Sequence, residues 1–171
     1  MRLISIALLA SGLAGAHPAT AAEGAAPVSA QSDAGIRAVI EAFRGGIIAK
    51  DKAALNRLPV IPGITLLASV DPETLARTRL RRPGAKRLVP GTYPEFVDQI
   101  TAAGPQSEET FSDISIRADG AIATVYFSYT FQEDGVVTNW GHESWGLVVT
   151  DDGWKISSIV YSITLPSSVK R

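Results

Sequence analysis

The segment from Phe111 to Thr164 most constrains the fold, because it contains three Asp-Gly pairs between runs of strand-forming residues. Asp-Gly favours a two-residue hairpin turn, since both central residues of that turn need a positive φ angle. The runs are rich in Val, Ile, Thr, Tyr, Phe and Trp, and the pairs are Asp119-Gly120, Asp134-Gly135 and Asp152-Gly153. The segment therefore predicts four antiparallel strands joined by three tight turns.

Helices are predicted ahead of these strands. A first helix follows a cap at Ser32 or Asp33, because apolar residues then recur at helical spacing as far as Ile48. A second, shorter helix is predicted from Asp51 to Leu58. A third begins at Thr92, which forms a capping-box pattern with Glu95.

The region between these helices is less regular. Ile64–Val70 is predicted to be a short strand or an edge segment, and Asp71-Pro72-Glu73 a turn or a helix start. Arg77–Arg87 is predicted to be a long irregular loop. Its basic residues would either clamp an acidic ligand or form a solvated surface. Helices grouped before an antiparallel sheet predict an α+β fold.

Composition excludes several classes of function. The chain has 171 residues, enough for one domain with a core, and its net charge of −1 gives no reason to expect nucleic acid as a partner. It has no cysteine, which excludes disulfides and thiol catalysis, and only two histidines. The sequence offers no cluster of metal ligands and no phosphate-binding loop, so we expect neither metal nor cofactor.

The first residues have the pattern of a secretory signal. Arg2 precedes an apolar stretch of h-region length, and small residues offer cleavage near Ala21 or Ala22. We therefore expect a secreted or periplasmic protein of a bacterium, with no membrane association after cleavage. The predicted organisation is a signal peptide (1–22), a disordered linker (23–32), one domain (33–166) and a tail (167–171).

The sequence resembles the NTF2-like, or SnoaL-like, superfamily, particularly its exported bacterial members. The resemblance rests on the order of the elements and on two motifs, Asp152-Gly153-Trp154-Lys155-Ile156 and Trp140-Gly141-His142-Glu143-Ser144-Trp145. It covers roughly residues 33 to 165. It implies a cone, in which a curved antiparallel sheet wraps around the N-terminal helices and leaves a pocket at the open end. It also implies a homodimer that pairs through the sheets.

Two-residue turns would fix the register of the sheet. Asp113 would lie opposite Tyr126, Tyr126 opposite Glu143, and Glu143 opposite Ser162, which makes a polar row. The same face would carry Ser128, Asn139 and Trp145. We assign this face to the interior and the opposite, aromatic face to the homodimer. The reverse assignment remains open, because a single bulge would exchange the faces locally.

The candidate catalytic residues are Glu143, Tyr126 and Asp113. A carboxylate in an apolar pocket has a raised pKa and can transfer protons near neutrality, and a tyrosine can stabilise an oxyanion. The alternative is that Glu143 is a buried hydrogen-bonded strut. The candidate ligand-binding residues are Trp145, Asn139, Ser128 and Ser162. His142 alternates away from Glu143 along its strand, which favours a packing or interface role.

Three functions remain open at this point, and the sequence does not decide whether the protein is an enzyme. The first is an apolar pocket that binds a small apolar or aromatic molecule. The second is a cofactor-free isomerase or cyclase of the steroid isomerase or SnoaL type. The third is an accessory module that holds another protein on its sheet face. Because the superfamily implies many activities, the fold does not choose between them.

Overall fold

The computed structural model describes residues 28–167. The predicted signal peptide, residues 23–27 of the predicted linker and the last four residues of the tail lie outside this range. The elements are α1 (Ala30–Ala49), α2 (Lys52–Asn56), β1 (Thr65–Val70), α3 (Pro72–Arg81), β2 (Leu88–Thr92), α4 (Tyr93–Thr101), β3 (Ser107–Ala118), β4 (Ile122–Glu133), β5 (Val136–Thr150) and β6 (Gly153–Ile163). The four predicted strands are β3 to β6.

One mixed sheet contains all six strands, in the order β2-β1-β6-β5-β4-β3. Consecutive strands of β3 to β6 pair antiparallel, as the turn signals predict. β1 joins the sheet beside β6 as a parallel neighbour, and β2 pairs antiparallel with β1. Helices packed on one face of this sheet confirm the α+β class.

Helix α1 forms the centre of the core. Its apolar residues recur every three or four positions, so that one side of the helix is buried. Phe43 from this side packs against Trp145 of β5 with ring centroids 4.9 Å apart, and against Phe96 of α4 at 5.5 Å. The sheet, α1 and α4 therefore enclose one continuous apolar interior. Among the helices within residues 28–167, none combines the length and apolarity that crossing a bilayer requires.

The capping and spacing signals in the sequence predicted most of the helices correctly. The capping box between Thr92 and Glu95 is present at the start of α4, as predicted. Helix α1 begins at Ala30, before the predicted start, because Ser29 accepts the capping hydrogen bond from the Ser32 amide. The prediction of a loop from Arg77 was wrong over its first residues, which belong to α3. Asp71 caps that helix by accepting from the Glu73 and Thr74 amides.

The predicted register of the sheet was wrong, because only one of the three turns has two residues in the predicted position. Asp134 and Gly135 have positive φ angles of 49° and 76° and form that turn. The β3–β4 loop is longer, with Ala118 paired to Ala123. The β5–β6 turn is formed by residues 151 and 152, with Thr150 paired to Gly153.

Bulges change the pairing further along the strands. Thr138 is an extra residue in β5, and Ser157 is an extra residue in β6. Asp113 lies in a third bulge of β3, with a positive φ of 54°. Each bulge moves the following residues of its strand relative to the neighbouring strand. Glu143 therefore lies opposite Phe127 and Tyr161 rather than opposite Tyr126 and Ser162.

The assignment of faces is consequently right for β5, wrong for β4 and right only in part for β6. On β5, Glu143, Trp145 and Leu147 face the interior as predicted. On β4 the interior side chains are those assigned to the dimer face, Val125, Phe127 and Tyr129. On β6 they include Ile159 of the dimer face and Ile156 of the predicted interior face.

Candidate functional site

A cavity of about 270 Å³ lies between α1, α4 and the inner face of the sheet. Most of its wall is apolar, and its aromatic residues are Phe43, Phe96, Tyr129, Phe131 and Tyr161. The strands also contribute five other polar side chains to this wall: Ser107, Glu109, Glu133, Asn139 and Glu143. The cavity thus combines an apolar container with a small number of polar groups, which is the usual composition of a small-molecule site.

Two carboxyl groups at this cavity are buried. Glu109 on β3 is 4% exposed and Glu143 on β5 is 5% exposed. Burial raises the pKa of Glu143 to about 7, although hydrogen bonds with Trp145 and Glu109 lower it. Burial, the charge of Glu143 and a hydrogen bond to Glu143 raise the pKa of Glu109 well above its ordinary value. Near neutral pH, Glu109 therefore keeps its proton and donates it in a hydrogen bond to Glu143.

Trp145 contacts this carboxyl pair on the side away from the cavity. Its indole Nε1 donates to Glu143 Oε2 at 2.5 Å, and the side chain has no exposed surface. The ring is fixed by edge-on contacts with Phe43 at 4.9 Å and Phe127 at 5.1 Å between centroids. The indole thus holds one oxygen of Glu143 in a defined place.

Two tyrosines stand beside the pair. The Tyr129 hydroxyl donates within a network that contains Asn139 Oδ1 and the Ser162 carbonyl oxygen, both 2.9 Å away. Tyr161 packs against the Tyr129 ring with centroids 6.3 Å apart. Burial and the charges of Glu143 and Glu109 raise the pKa of Tyr161. Both phenols are therefore neutral hydrogen-bonding groups over the physiological pH range.

The opening of the cavity is formed by the segment after α4. Lys50, in a left-handed conformation at the end of α1, donates from Nζ to the carbonyl oxygens of Ala102 and Gly104 at 3.2 and 3.1 Å. Residues 102 to 105 line the cavity, so these bonds fix one side of its entrance. The basic residues from Arg77 to Arg87 do not line it. Arg77 instead bonds to Glu73 and to the Leu165 carbonyl oxygen.

The predicted catalytic residues are not brought together. Glu143 faces the cavity, whereas Tyr126 lies on the outer face, 51% exposed, and stacks on His142 at 5.4 Å. Asp113 is exposed in its bulge, 3.3 Å from the Ser128 hydroxyl. The prediction that Glu143, Tyr126 and Asp113 share one pocket was wrong, because the bulges shift β4 by one residue relative to the predicted register.

The four predicted ligand-binding residues also lie in different parts of the structure. Asn139 lines the cavity, and Trp145 lies behind Glu143 as described above. Ser128 contacts Asp113 outside the cavity. The Ser162 hydroxyl accepts from the His142 amide at 2.9 Å, which ties β6 to β5. Only Asn139 among the four thus has direct access to the cavity.

Glu109 was missed by sequence reasoning, because β3 was predicted to begin at Phe111. The strand begins at Ser107, and Ser107 and Glu109 alternate inward. Phe111 and Asp113 have the same parity as Glu109, so extending the strand backwards by two residues would have placed Glu109 on the face predicted for Glu143. The signal was therefore present in the sequence.

The outer face of the sheet carries exposed aromatic and aliphatic side chains beside an exposed histidine, and we call this group the outer patch: Tyr126, Trp140, His142 and Val160. Tyr126 and Val160 flank Ser144 in neighbouring strands, and Trp140 pairs with Thr130 two positions along β5 from His142. The residues between 28 and 167 provide no element that covers this patch. The homodimer through the sheet stays a prediction.

Comparison with known proteins shows that solved structures share the fold of this chain. No protein-family profile matches the sequence, and no curated protein does. An NTF2-like protein of unknown function from Silicibacter pomeroyi matches with a TM-score of 0.56 and 16% identity, covering 81% of this chain and 100% of that one. A candidate dehydratase of the NTF2-like family from Streptomyces avermitilis matches with a TM-score of 0.57 and 17% identity, covering 81% of this chain and 100% of that one.

A third similar structure belongs to a protein with a different suggested activity. A candidate aromatic ring hydroxylase from Novosphingobium aromaticivorans matches with a TM-score of 0.58 and 12% identity, covering 82% of this chain and 94% of that one. Identities this low establish a shared architecture and leave the activity open. The chain has the NTF2-like fold, as the resemblance of its sequence predicts.

Proposed function

We propose that this protein binds a small, largely apolar organic molecule in the cavity between α1, α4 and the sheet. The supporting observation is the buried carboxyl pair Glu109–Glu143 at a cavity lined largely by aromatic and aliphatic side chains. Burying ionisable groups costs stability, and active or binding sites are where proteins commonly accept that cost. We also propose that the domain acts after export, on the basis of the predicted signal peptide.

The volume limits the size of the ligand. Typical pockets for drug-sized molecules measure roughly 300–1,000 Å³. A cavity of about 270 Å³ lies just below that range. It therefore suits a molecule with one or two rings rather than a long chain or a nucleotide.

A variant that blocks the entrance tests this proposal. Ala103 is exposed and lines the opening, so Ala103→Trp fills the entrance without disturbing the core. Ala76→Trp, on an exposed position of α3, is the matched control. We expect 2-phenylethanol, measured by calorimetry, to bind the wild type and Ala76→Trp and to lose binding in Ala103→Trp. Equal binding by both variants would overturn the proposal.

A second candidate function is proton transfer by an isomerase or cyclase that needs no cofactor. It is supported by the pKa of about 7 at Glu143, which suits a general base near neutrality. The Glu143 carboxylate would take a proton from a carbon next to a carbonyl group and return it to another carbon of the same molecule. Glu109, already protonated, would hold the carboxyl of Glu143 in place throughout.

Hydrogen exchange tests this second candidate without knowledge of the natural substrate. 2-Tetralone is a suitable probe, because its acidic hydrogens lie next to a carbonyl and its size fits the cavity. We expect the wild type to accelerate exchange of these hydrogens in deuterium oxide, followed by proton NMR, and Glu143→Gln to lose the acceleration. Equal exchange rates with both proteins would exclude Glu143 as the base.

We also propose that the outer patch binds a second copy of this chain. The exposed aromatic and aliphatic side chains of Tyr126, Trp140 and Val160 lie on strands that are rigidly paired, which suits a flat interface. Light scattering of the wild type should give the mass of a dimer, and Val160→Glu should give that of a monomer. A wild-type monomer would contradict this proposal and would leave the patch for a different protein, as an accessory module requires.

A further inference from the structure

The carboxyl pair has no positive partner within residues 28–167. The ion pairs of this part of the chain join other residues, and all of them lie at the surface. Lys50 is the basic residue at the cavity, and its ammonium group bonds to the Ala102 and Gly104 carbonyl oxygens instead. A buried carboxylate without a cation is costly, because the interior compensates poorly for lost hydration.

The pair also retains free hydrogen-bonding capacity. A carboxylate can accept about four hydrogen bonds. In the described structure Glu143 accepts one from Trp145 and one from Glu109, and Glu109 has no further side-chain partner. Since both side chains line the cavity, the remaining lone pairs are available to a molecule inside it.

The charge at the site follows from its titratable groups. Glu109 on β3 holds its proton, and Glu143 on β5 loses its proton near neutral pH. Tyr129 on β4 and Tyr161 on β6 are neutral, since burial raises the pKa of both. Glu133 and Lys50 also line the cavity and have opposite charges. In slightly alkaline solution the inner cavity therefore carries one negative charge.

The surrounding wall also favours a cation. Aromatic rings attract cations through their negative faces, and this attraction is strongest where water is excluded. Five aromatic side chains line the cavity, including Tyr129 and Tyr161 beside the carboxyl pair. An anionic ligand would instead meet the charge of Glu143 without a free basic group to offset it.

We propose that the ligand of this cavity is a small protonated amine with an apolar body, and that its ammonium group bonds to the Glu109–Glu143 pair. This inference rests on the proposed binding function. The ammonium supplies both the missing positive charge and the hydrogen-bond donors. The apolar body occupies the aromatic part of the cavity.

Three probes of similar size and different charge test the inference. They are 2-phenylethylamine, which is cationic, 2-phenylethanol, which is neutral, and phenylacetate, which is anionic. We expect the amine to bind at least about tenfold more tightly than the alcohol at about pH 8, a modest part of the Coulomb attraction at a buried site. Phenylacetate should bind more weakly than either.

The pH dependence and a matched pair of variants complete the test. The preference for the amine should shrink between about pH 8 and about pH 5.5, because Glu143 becomes protonated over that range. Glu143→Gln should abolish the preference at both pH values. Glu108→Gln is the control, since Glu108 neighbours Glu109 but does not line the cavity and faces Arg44 instead. It should keep the preference.

The possible results separate this inference from the proposed function. If the amine and the alcohol bind equally, or if Glu108→Gln abolishes the preference as Glu143→Gln does, the cationic ligand is excluded while the binding function stands. If phenylacetate binds most tightly, the inference is likewise overturned. If none of the three binds up to millimolar concentration, both proposals fail.

Discussion

Glu109 on β3 and Glu143 on β5 reach across β4 and share a hydrogen bond at the cavity. The bond holds one proton between two buried carboxyl groups, so the pair carries a single negative charge where two would repel strongly. Trp145 donates to the other side of Glu143 and leaves the cavity side of the pair open. A functional pair and a purely structural pair predict different effects of pH and of substitution, and these effects can be measured.

The first prediction concerns stability and pH. The folded pKa of Glu143 is raised to about 7 from an unfolded value near 4.5, so the folded state retains the proton longer. The free energy of unfolding should therefore be unaffected below the unfolded pKa and fall as pH rises towards 7, by about 3 kcal/mol in total from this group. Urea unfolding at about pH 5 and about pH 8 measures the difference.

The Glu143→Gln variant should lose the part of this pH dependence that comes from Glu143, because its neutral amide needs no proton, and should keep the part that comes from Glu109. We expect it to be more stable than the wild type at about pH 8 by about 1–3 kcal/mol. Glu108→Gln, in the same part of the molecule but outside the cavity, should keep the wild-type slope. A Glu143→Gln variant that is less stable than the wild type at both pH values would support the strut instead.

The second prediction concerns Trp145. Its hydrogen bond to Glu143 lowers the pKa of that carboxyl, so Trp145→Phe should move the pKa of Glu143 further upward. The smaller ring also leaves space between Phe43 and Phe127, which should cost about 1–3 kcal/mol of stability. A comparison of the stability–pH curves separates these effects, because lost packing lowers the curve uniformly and the pKa change shifts its midpoint.

The third prediction concerns Gly141. A Cβ atom at this position would lie 2.2 Å from the Ser162 carbonyl oxygen, which is the oxygen that faces the Tyr129 hydroxyl. Gly141→Ala should therefore push β6 away from β5, weaken the Tyr129 network and cost about 2–4 kcal/mol. Thermal and chemical unfolding would show the loss.

A second glycine provides the control for this prediction. Gly45 in α1 is exposed, and an added Cβ would meet nothing within 4 Å. Gly45→Ala should therefore raise stability by about 1 kcal/mol, as expected for an exposed helix interior. Similar effects at both positions would show that the close approach of β5 and β6 is not what requires Gly141.

The features that depend only on neighbouring residues could be predicted from the sequence. Asp134-Gly135 forms its turn because those residue types tolerate the positive φ angles that the turn requires. Thr92 and Glu95 form their capping box for an equally local reason. The face of β5 that carries Glu143 was also predicted correctly.

The site was only partly predictable, because the register depends on bulges. Thr138 and Ser157 are extra residues in their strands, and neither interrupts the pattern of strand-forming residues. On β4, the even and odd positions both carry side chains that suit a strand, so the pattern alone did not choose the inner face. Tyr126 was therefore placed inside, where Phe127 and Tyr129 actually lie.

The most direct test of this account is a pH titration of the glutamate side-chain carboxyl carbons by NMR, with Glu109→Gln and Glu143→Gln used to assign the two signals. We expect Glu143 to titrate near pH 7 and Glu109 to remain protonated well above its ordinary pKa. Addition of 2-phenylethylamine should move the Glu143 transition to lower pH. Two transitions in the ordinary range of exposed glutamates, near pH 4.3, would contradict the buried pair and the site built on it.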